Sequence, residues 1–398
     1  MSEPGKIIRI AAKGDGVTAD GRHHAGAVTG DTVSSDGQLV PGPHHATPSC
    51  QHYRKCGGCQ LQHADEEALR QFVTQRVVHA AQGQGIAVRE LLESHLSPPH
   101  SRRRATFHAM RTQRGAVLGF REAGSHRVVD IAECPVLVPE LFAVLEPLRE
   151  FVGKHAGKGA VDVELALADQ GVDCSLKNLT LEGLAAIEAA TELAQGAGLA
   201  RLTLDQGYGP EAMWEPEPLS ITLGGVSVPF PSGSFMQATR DAEVAMIADA
   251  REWLAGAGTV ADLFSGLGTF AFVLAGPAKV LAAEAARDAH LACKAAAGRA
   301  GKPVHAMHRD LFRNPLTSNE IGKFDGVLLD PPRAGAREQV SQIADSDVSR
   351  VVYVSCNPSS WARDAKRLVE AGFTLERLRP VGQFRWSTHV ELTSYFTR

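Results

Sequence analysis

Asp262-Leu263-Phe264-Ser265-Gly266-Leu267-Gly268-Thr269-Phe270 is the stretch on which the fold turns. The apolar run Val260-Ala261-Asp262-Leu263-Phe264 reads as a buried strand. Gly266 and Gly268 follow it at once, where glycines let a backbone turn sharply and approach a ligand, and a helix opens behind them. Further apolar runs at 279–283, 324–329 and 351–354 alternate with helical stretches near 286–300 and 359–371. Strand, turn and helix repeated in this way predict an α/β domain over residues 241–398, mainly a parallel sheet with helices on both faces. Such sheets bind ligands beyond the carboxyl ends of their strands, so the chemistry should follow each run.

The strand after the glycine turn ends in Glu284, about 20 residues downstream, where a carboxylate can accept from both ribose hydroxyls. The turn lacks the third glycine of a dinucleotide site. A nucleoside without a pyrophosphate, such as S-adenosyl-L-methionine, therefore fits better than NAD. The plainer alternatives are a strand-to-helix turn with no ligand and a solvated Glu284. Asp330-Pro331-Pro332-Arg333 makes a rigid loop at the next strand end, since each proline locks φ and removes a donor. Arg333 stands where amino-group methyltransferases carry an aromatic, which argues against methylation of an exocyclic nitrogen.

Ser355-Cys356-Asn357-Pro358 closes the following strand. A lone cysteine is often an inert core residue. At a strand's carboxyl end, before a helix start, it faces the cleft, and the helix N-terminus is expected to favour the thiolate. Carbon 5 of uracil is too weak a nucleophile to take a methyl group unaided, but thiolate addition at carbon 6 converts the ring to an enolate. A base must then remove the carbon-5 proton. Glu391, in His389-Val390-Glu391, is the candidate, and an exposed strand residue is the competing reading.

A chain of 398 residues exceeds what one core organises, which predicts further domains. Residues 1–45 read as a small, shortened β-module, and 46–240 as a cysteine-bearing loop followed by an α+β central domain with strand-like runs at 116–120 and 161–166. A net charge of -4 excludes a protein that coats nucleic acid through bulk charge, so RNA binding has to be local. Arg102-Arg103-Arg104 and the arginines at 111 and 114, with Phe107 between them as a stacking group, are the candidate contacts. With no apolar run of membrane length and no export signal, a cytoplasmic protein is expected, without a membrane partner and as a monomer.

Seven cysteines, an odd number, argue against a disulfide framework. Cys50, Cys56 and Cys59 crowd one loop, and Cys134 follows in Val129-Asp130-Ile131-Ala132-Glu133-Cys134-Pro135. Four thiolates hold either zinc or an iron-sulfur cluster, and spacing alone leans slightly to zinc.

Taken in order, Phe235-Met236-Gln237, the turn at 264–270, Asp330-Pro331-Pro332-Arg333, Ser355-Cys356-Asn357-Pro358 and His389-Val390-Glu391 resemble the RNA 5-methyluridine (uracil-5-) methyltransferases, in particular the 23S ribosomal RNA branch that carries an iron-sulfur cluster. The resemblance implies a Rossmann-like S-adenosylmethionine-dependent methyltransferase domain, Cys356 as nucleophile and Glu391 as base. It also implies cofactor contacts at Gln237, Phe264, Glu284 and Asp330, and a 4Fe-4S cluster on Cys50, Cys56, Cys59 and Cys134. The 1–45 segment would be a shortened RNA-binding β-barrel. Three positions depart from the pattern: Thr239 stands for a usual Asn, Ser265 for a frequent Cys, and Gln383-Phe384-Arg385-Trp386-Ser387-Thr388 for a Met-Phe-Pro-rich lead-in. A transfer-RNA uridine methyltransferase, whose branch generally lacks the cysteines, and a non-catalytic RNA-binding protein are the alternatives.

Overall fold

The apolar runs of the C-terminal half form neighbouring parallel strands. In the computed structural model, which describes residues 5–398, Thr259–Leu263 is central. Lys279–Glu284 and Val304–His308 lie on one side of it, and Gly326–Leu329 and Arg350–Ser355 on the other. Every residue of Gly326–Leu329 is buried, as expected for a strand covered on both faces. Successive side chains alternate between faces. Val351 and Tyr353 pack with Trp361, Ala365 and Leu368 of the helix Pro358–Glu370, whereas Val352 and Val354 pack with Met246 and Trp253 of Arg240–Trp253. The helix Arg287–Arg299 joins the second cluster through Ala292 and Ala296.

Beyond Arg350–Ser355 the sheet turns antiparallel, which the alternation of runs did not announce. Glu391–Thr397 pairs antiparallel with Arg350–Ser355, and Thr374–Gly382 pairs antiparallel with Glu391–Thr397. Val88–Leu91 and His95–Leu96 then add in parallel to Thr374–Gly382. The helix Glu66–Gly83 covers this edge, with Phe72, Val73 and Val77 in one cluster with Leu375 and Leu378. The hairpin Ser220–Leu223 and Val226–Pro229 packs with Ala289 and Ala292. The packing therefore crosses the expected division at 240, because residues 66–96 and 219–236 complete the core of the C-terminal sheet.

The central unit is a separate mixed sheet in the order Pro210–Trp214, Arg201–Asp205, Gly171–Lys177, Ala160–Ala168, Arg104–Thr112, Gly115–Gly119. Leu148, Phe151 and Val152 of Leu145–His155, with Ala190 and Ala194 of Leu184–Gly196, fill its core. The N-terminal module is a three-stranded sheet, Ile7–Ile10, Gly16–Thr18 and His23–His24, beside the small pair Thr32–Val33 and Leu39–Val40. His45 and the buried Asp31, 2.8 Å apart, tie the end of the module to its middle. Among the described residues, no helix is long and apolar enough to cross a membrane.

Candidate active site and cysteine cavity

A cavity of about 1140 Å³ opens at the carboxyl ends of the central strands, with Gln237, Phe264, Gly266, Glu284, Asp330, Cys356 and Glu391 all on its wall. The glycine turn is held tightly. Phe264 sits at φ 63°, a conformation bulky side chains rarely adopt, and its ring packs on Phe312 at 5.3 Å. The Glu284 carboxylate accepts from the backbone N–H of Gly266 at 2.9 Å and of Ala286 at 2.6 Å. Each of its oxygens keeps a further lone pair for a ligand hydroxyl. Gly268, expected with Gly266 to admit a ligand, stands off this wall. At φ 94°, a Cβ on it would lie 2.7 Å from the Phe272 ring, so packing inside the fold is what demands glycine there.

Cys356 immediately follows Arg350–Ser355. Asn357 caps the next helix by accepting from the N–H of Ser359 at 3.1 Å, and its side-chain amide donates to the carbonyl of Arg333 at 3.0 Å. This bond ties the Asp-Pro-Pro-Arg loop to the cysteine. The thiol is pushed up to about 11, first by burial and then by the charges of Glu391 and Asp330, with Arg333 opposing. The expected lowering by the helix N-terminus is thus outweighed, since two carboxyls and desolvation both disfavour the thiolate.

Glu391 opens the strand Glu391–Thr397 and is 5% exposed. The Nε2 of Gln383 donates to Glu391 Oε2 and, at 3.0 Å, to Gln237 Oε1. Gln237 Nε2 in turn donates to Asp330 Oδ2 at 3.2 Å. A buried amide chain thereby joins two carboxyl groups. Burial pushes Glu391 up to about 8, with the nearby Asp330 charge adding to it, and burial pushes Asp330 up to about 7. His389 faces Arg333, whose guanidinium lies 2.9 Å from Nδ1. Arginine only donates, so Nδ1 accepts and the neutral ring carries its proton on Nε2. Burial and then Arg333 hold the ring below its ordinary value.

The arginine run behaves differently from a surface patch. Phe107 is fully buried and packs on Phe120 at 4.7 Å, so it is core and cannot stack on a base. Arg103 pairs with the buried Glu243 at 2.6 Å and donates to the carbonyl of Gln237 at 3.2 Å. Arg102 lies over Phe120 and Phe384, and Arg104 lies over Phe235 at 4.7 Å. Arg102 and Arg104 face the cavity.

Cys50, Cys56, Cys59 and Cys134 line one second, smaller cavity, which shares Gly58, Arg102 and Phe120 with the first. The loop that carries them is ordered by backbone bonds, Gly57 N–H to the carbonyl of Arg121 at 2.9 Å among them. Among the described residues, no three His, Cys, Asp or Glu side chains are spaced to hold a single metal ion. Cys174 and Cys293 are buried core thiols.

Residues 305–398 match the family model for tRNA (uracil-5-)-methyltransferase. Along nearly its whole length the chain is similar to an RNA methyltransferase of Zymomonas mobilis, 48% identical over 394 residues and covering 99% of each chain. It is also 32% identical over 382 residues, 90% of this chain and 84% of the other, to the 23S rRNA (uracil(1939)-C(5))-methyltransferase RlmD of Vibrio vulnificus. The chain belongs to the RNA uracil-5-methyltransferase family. The crystal structure of the Pyrococcus abyssi tRNA (uracil-54, C5)-methyltransferase in complex with S-adenosyl-L-homocysteine shares the fold, with a TM-score of 0.78, 23% identity and 99% coverage of both chains.

For a member of this family, the sequence missed how the site is tied together. Gln383 was legible only as a departure from pattern, yet it bridges Glu391 and Gln237. The Arg333–His389 pair spans 56 residues of chain, and neither spacing nor periodicity records such a contact.

Proposed function

We propose that this RNA methyltransferase methylates carbon 5 of a uridine in 23S ribosomal RNA, using Cys356 as nucleophile and Glu391 as base. One observation carries the reading: Cys356, Glu391 and Asp330 share a single cavity at the strand ends, with Gln237 and Gln383 linking the two carboxyls. The Cys356 thiolate adds to carbon 6, and the ring's electron pair moves onto carbon 5, which bonds the incoming methyl carbon. Glu391 takes the carbon-5 proton, the double bond re-forms, and the S–C6 bond breaks to release Cys356. A methyl group enters and one proton leaves. S-adenosyl-L-methionine, when bound, supplies that methyl group and departs as a neutral thioether. Its nucleoside suits the wall of Phe264, Gly266 and Glu284, where Glu284 has lone pairs left for ribose hydroxyls and the open side of Gly266 admits a ligand. Buried reacting groups require the uridine to leave its stack, which favours a loop or bulge of folded RNA.

The ribosomal assignment is supported by the named substrate of the Vibrio relative and by the four-cysteine cavity. Cys50, Cys56, Cys59 and Cys134, which line that one cavity, are the residues that would hold the 4Fe-4S cluster implied by the resemblance to the iron-sulfur branch. Methyl transfer moves no net electrons, so the cluster's work is structural. The functional unit is a cytoplasmic monomer acting on RNA without a membrane partner. Residues 1–45 would serve as RNA-binding module, the rest up to 240 as cluster-bearing central part apart from 66–96 and 219–236, and 241–398 together with those two segments as catalytic part.

Purified protein incubated with labelled S-adenosylmethionine and RNA free of 5-methyluridine should place label in 5-methyluridine of the large ribosomal RNA. Label confined to transfer RNA would move the enzyme to the other branch. Cys356→Ala should lower methylation at least about 1000-fold, and full activity in that variant would overturn the mechanism. For the cluster, Cys59→Ser should abolish visible absorption and lower the melting temperature. A colourless wild type holding one zinc per chain would sink that assignment.

A further inference from the structure

We propose that Gln383 is the positioning residue for Glu391, the amide that aims the base and ties it to Gln237 and to the backbone of Thr239. This rests on the reading of Glu391 as base. Gln383 is 2% exposed and follows the strand Thr374–Gly382, whose Val381 is in register with Glu391 on the neighbouring strand. Its side-chain N–H groups donate to Glu391 Oε2 and Gln237 Oε1, and its oxygen accepts from the N–H of Thr239 at 3.3 Å. The amide has a single satisfactory orientation. Turned over, it would set an oxygen against Glu391 Oε2 and Gln237 Oε1 and leave the Thr239 N–H facing another donor.

The anchors on either side of this amide are themselves fixed. Thr239 caps the helix Arg240–Trp253 through its hydroxyl, which also bonds Ser97 at 2.8 Å. The loop carrying Gln383 is clamped where the N–H groups of Gln60 and Leu61 both donate to the carbonyl of Trp386, at 2.7 and 2.9 Å. Arg385 donates to the carbonyl of Ser97 at 3.0 Å. Gln383 can therefore hold Glu391 without following it. Because Oε2 is taken, Oε1 is the oxygen left to meet the carbon-5 proton. Proton removal from carbon is sensitive to aim, since the accepting lone pair must lie along the breaking bond. Gln383 belongs to one of the three departures from the family pattern, and its partner at Thr239 is a backbone N–H.

Gln383→Met keeps the length of the side chain and removes its donors. Single-turnover assays on RNA carrying tritium at carbon 5 of uridine would follow proton release, with denaturing gels to detect the covalent protein–RNA adduct. The expected result is adduct accumulation, with tritium release slowed about 10-fold and the KM for RNA moved less than about threefold. The pH at half-maximal release should also rise, because the anionic carboxylate loses a donor while Asp330, Cys356 and Arg104 around it are unchanged. Glu391→Gln serves as the reference. If Glu391→Gln accumulates no adduct, the base assignment itself fails. If it does, and Gln383→Met releases tritium at the wild-type rate, the positioning role alone is overturned. Should Gln383→Met melt below assay temperature, the isosteric Gln383→Glu decides. A second acid against Glu391 should slow release and shift its pH dependence upward, and unchanged release would again overturn the proposal.

Discussion

Asp330, Cys356 and Glu391 are three acids whose ionised forms the same cavity disfavours, and this sets how the protein responds to pH. Carboxyl groups ordinarily titrate near about 4, whereas burial pushes Asp330 up to about 7 and Glu391 up to about 8. Between those limits the folded chain binds protons that the unfolded chain has released. Stability from these groups is therefore present at low pH and lost as pH climbs through 7 and 8. Glu391→Gln has nothing to ionise, so its melting temperature should exceed the wild type's at pH 9, on the order of 2–4 °C, and match it near pH 5. Calorimetric melts at both values test this, and a wild type that gains stability from pH 6 to 9 relative to the variant would contradict it. Activity should run the other way, because Glu391 in its proposed role as base works only when ionised. The site gives up stability at the pH where it is most active.

Two glycines of one turn separate packing from binding at the level of the strand-turn-helix unit. Gly268 is wedged against Phe272, with Cys293 of the helix Arg287–Arg299 also close. Gly268→Ala combines a left-handed φ with a clash and should cost about 2–4 kcal/mol in urea unfolding. Gly266, at φ 54°, has open space where its Cβ would be and lies on the cavity wall. Gly266→Ala should cost only about 1 kcal/mol while weakening S-adenosylmethionine binding more than Gly268→Ala does, as isothermal calorimetry would read. Equal effects on binding would mean that both glycines shape the ligand surface. The strand Glu391–Thr397 makes a related point about legibility. Its alternating residues suggested an exposed strand face as readily as a buried base, and only its pairing between Arg350–Ser355 and Thr374–Gly382 buries Glu391.

Across the whole molecule, Arg103 joins the central sheet to the C-terminal domain by pairing with Glu243 and holding the Gln237 carbonyl. Removing one member of a buried pair strands the other charge. Arg103→Ala should therefore destabilise by about 3 kcal/mol and, through Gln237, slow methylation. The double change Arg103→Met with Glu243→Leu should restore much of the stability but not the rate. Thermal melts and initial rates on the two variants separate these effects, and a double variant as unstable as the single would show that lost packing, not the stranded acid, sets the cost. The cysteine cavity belongs to the same scale. It shares Arg102 and Phe120 with the larger cavity, and its loop grips the backbone at Trp386, so order at one site reaches the other through a few contacts.

The parallel half of the sheet, the glycine turn, and the placement of Glu284, Asp330 and Cys356 at strand ends were all legible from the chain alone. They follow from local periodicity and from turn residues whose backbone demands are intrinsic. The antiparallel extension by residues 66–96 and 374–397, the burial of Phe107, the raised thiol of Cys356 and the Gln383 bridge were decided only by tertiary structure. Each depends on which groups far apart in sequence come within a few ångströms and how much water they lose, and neither distance nor desolvation is written in the spacing of residues.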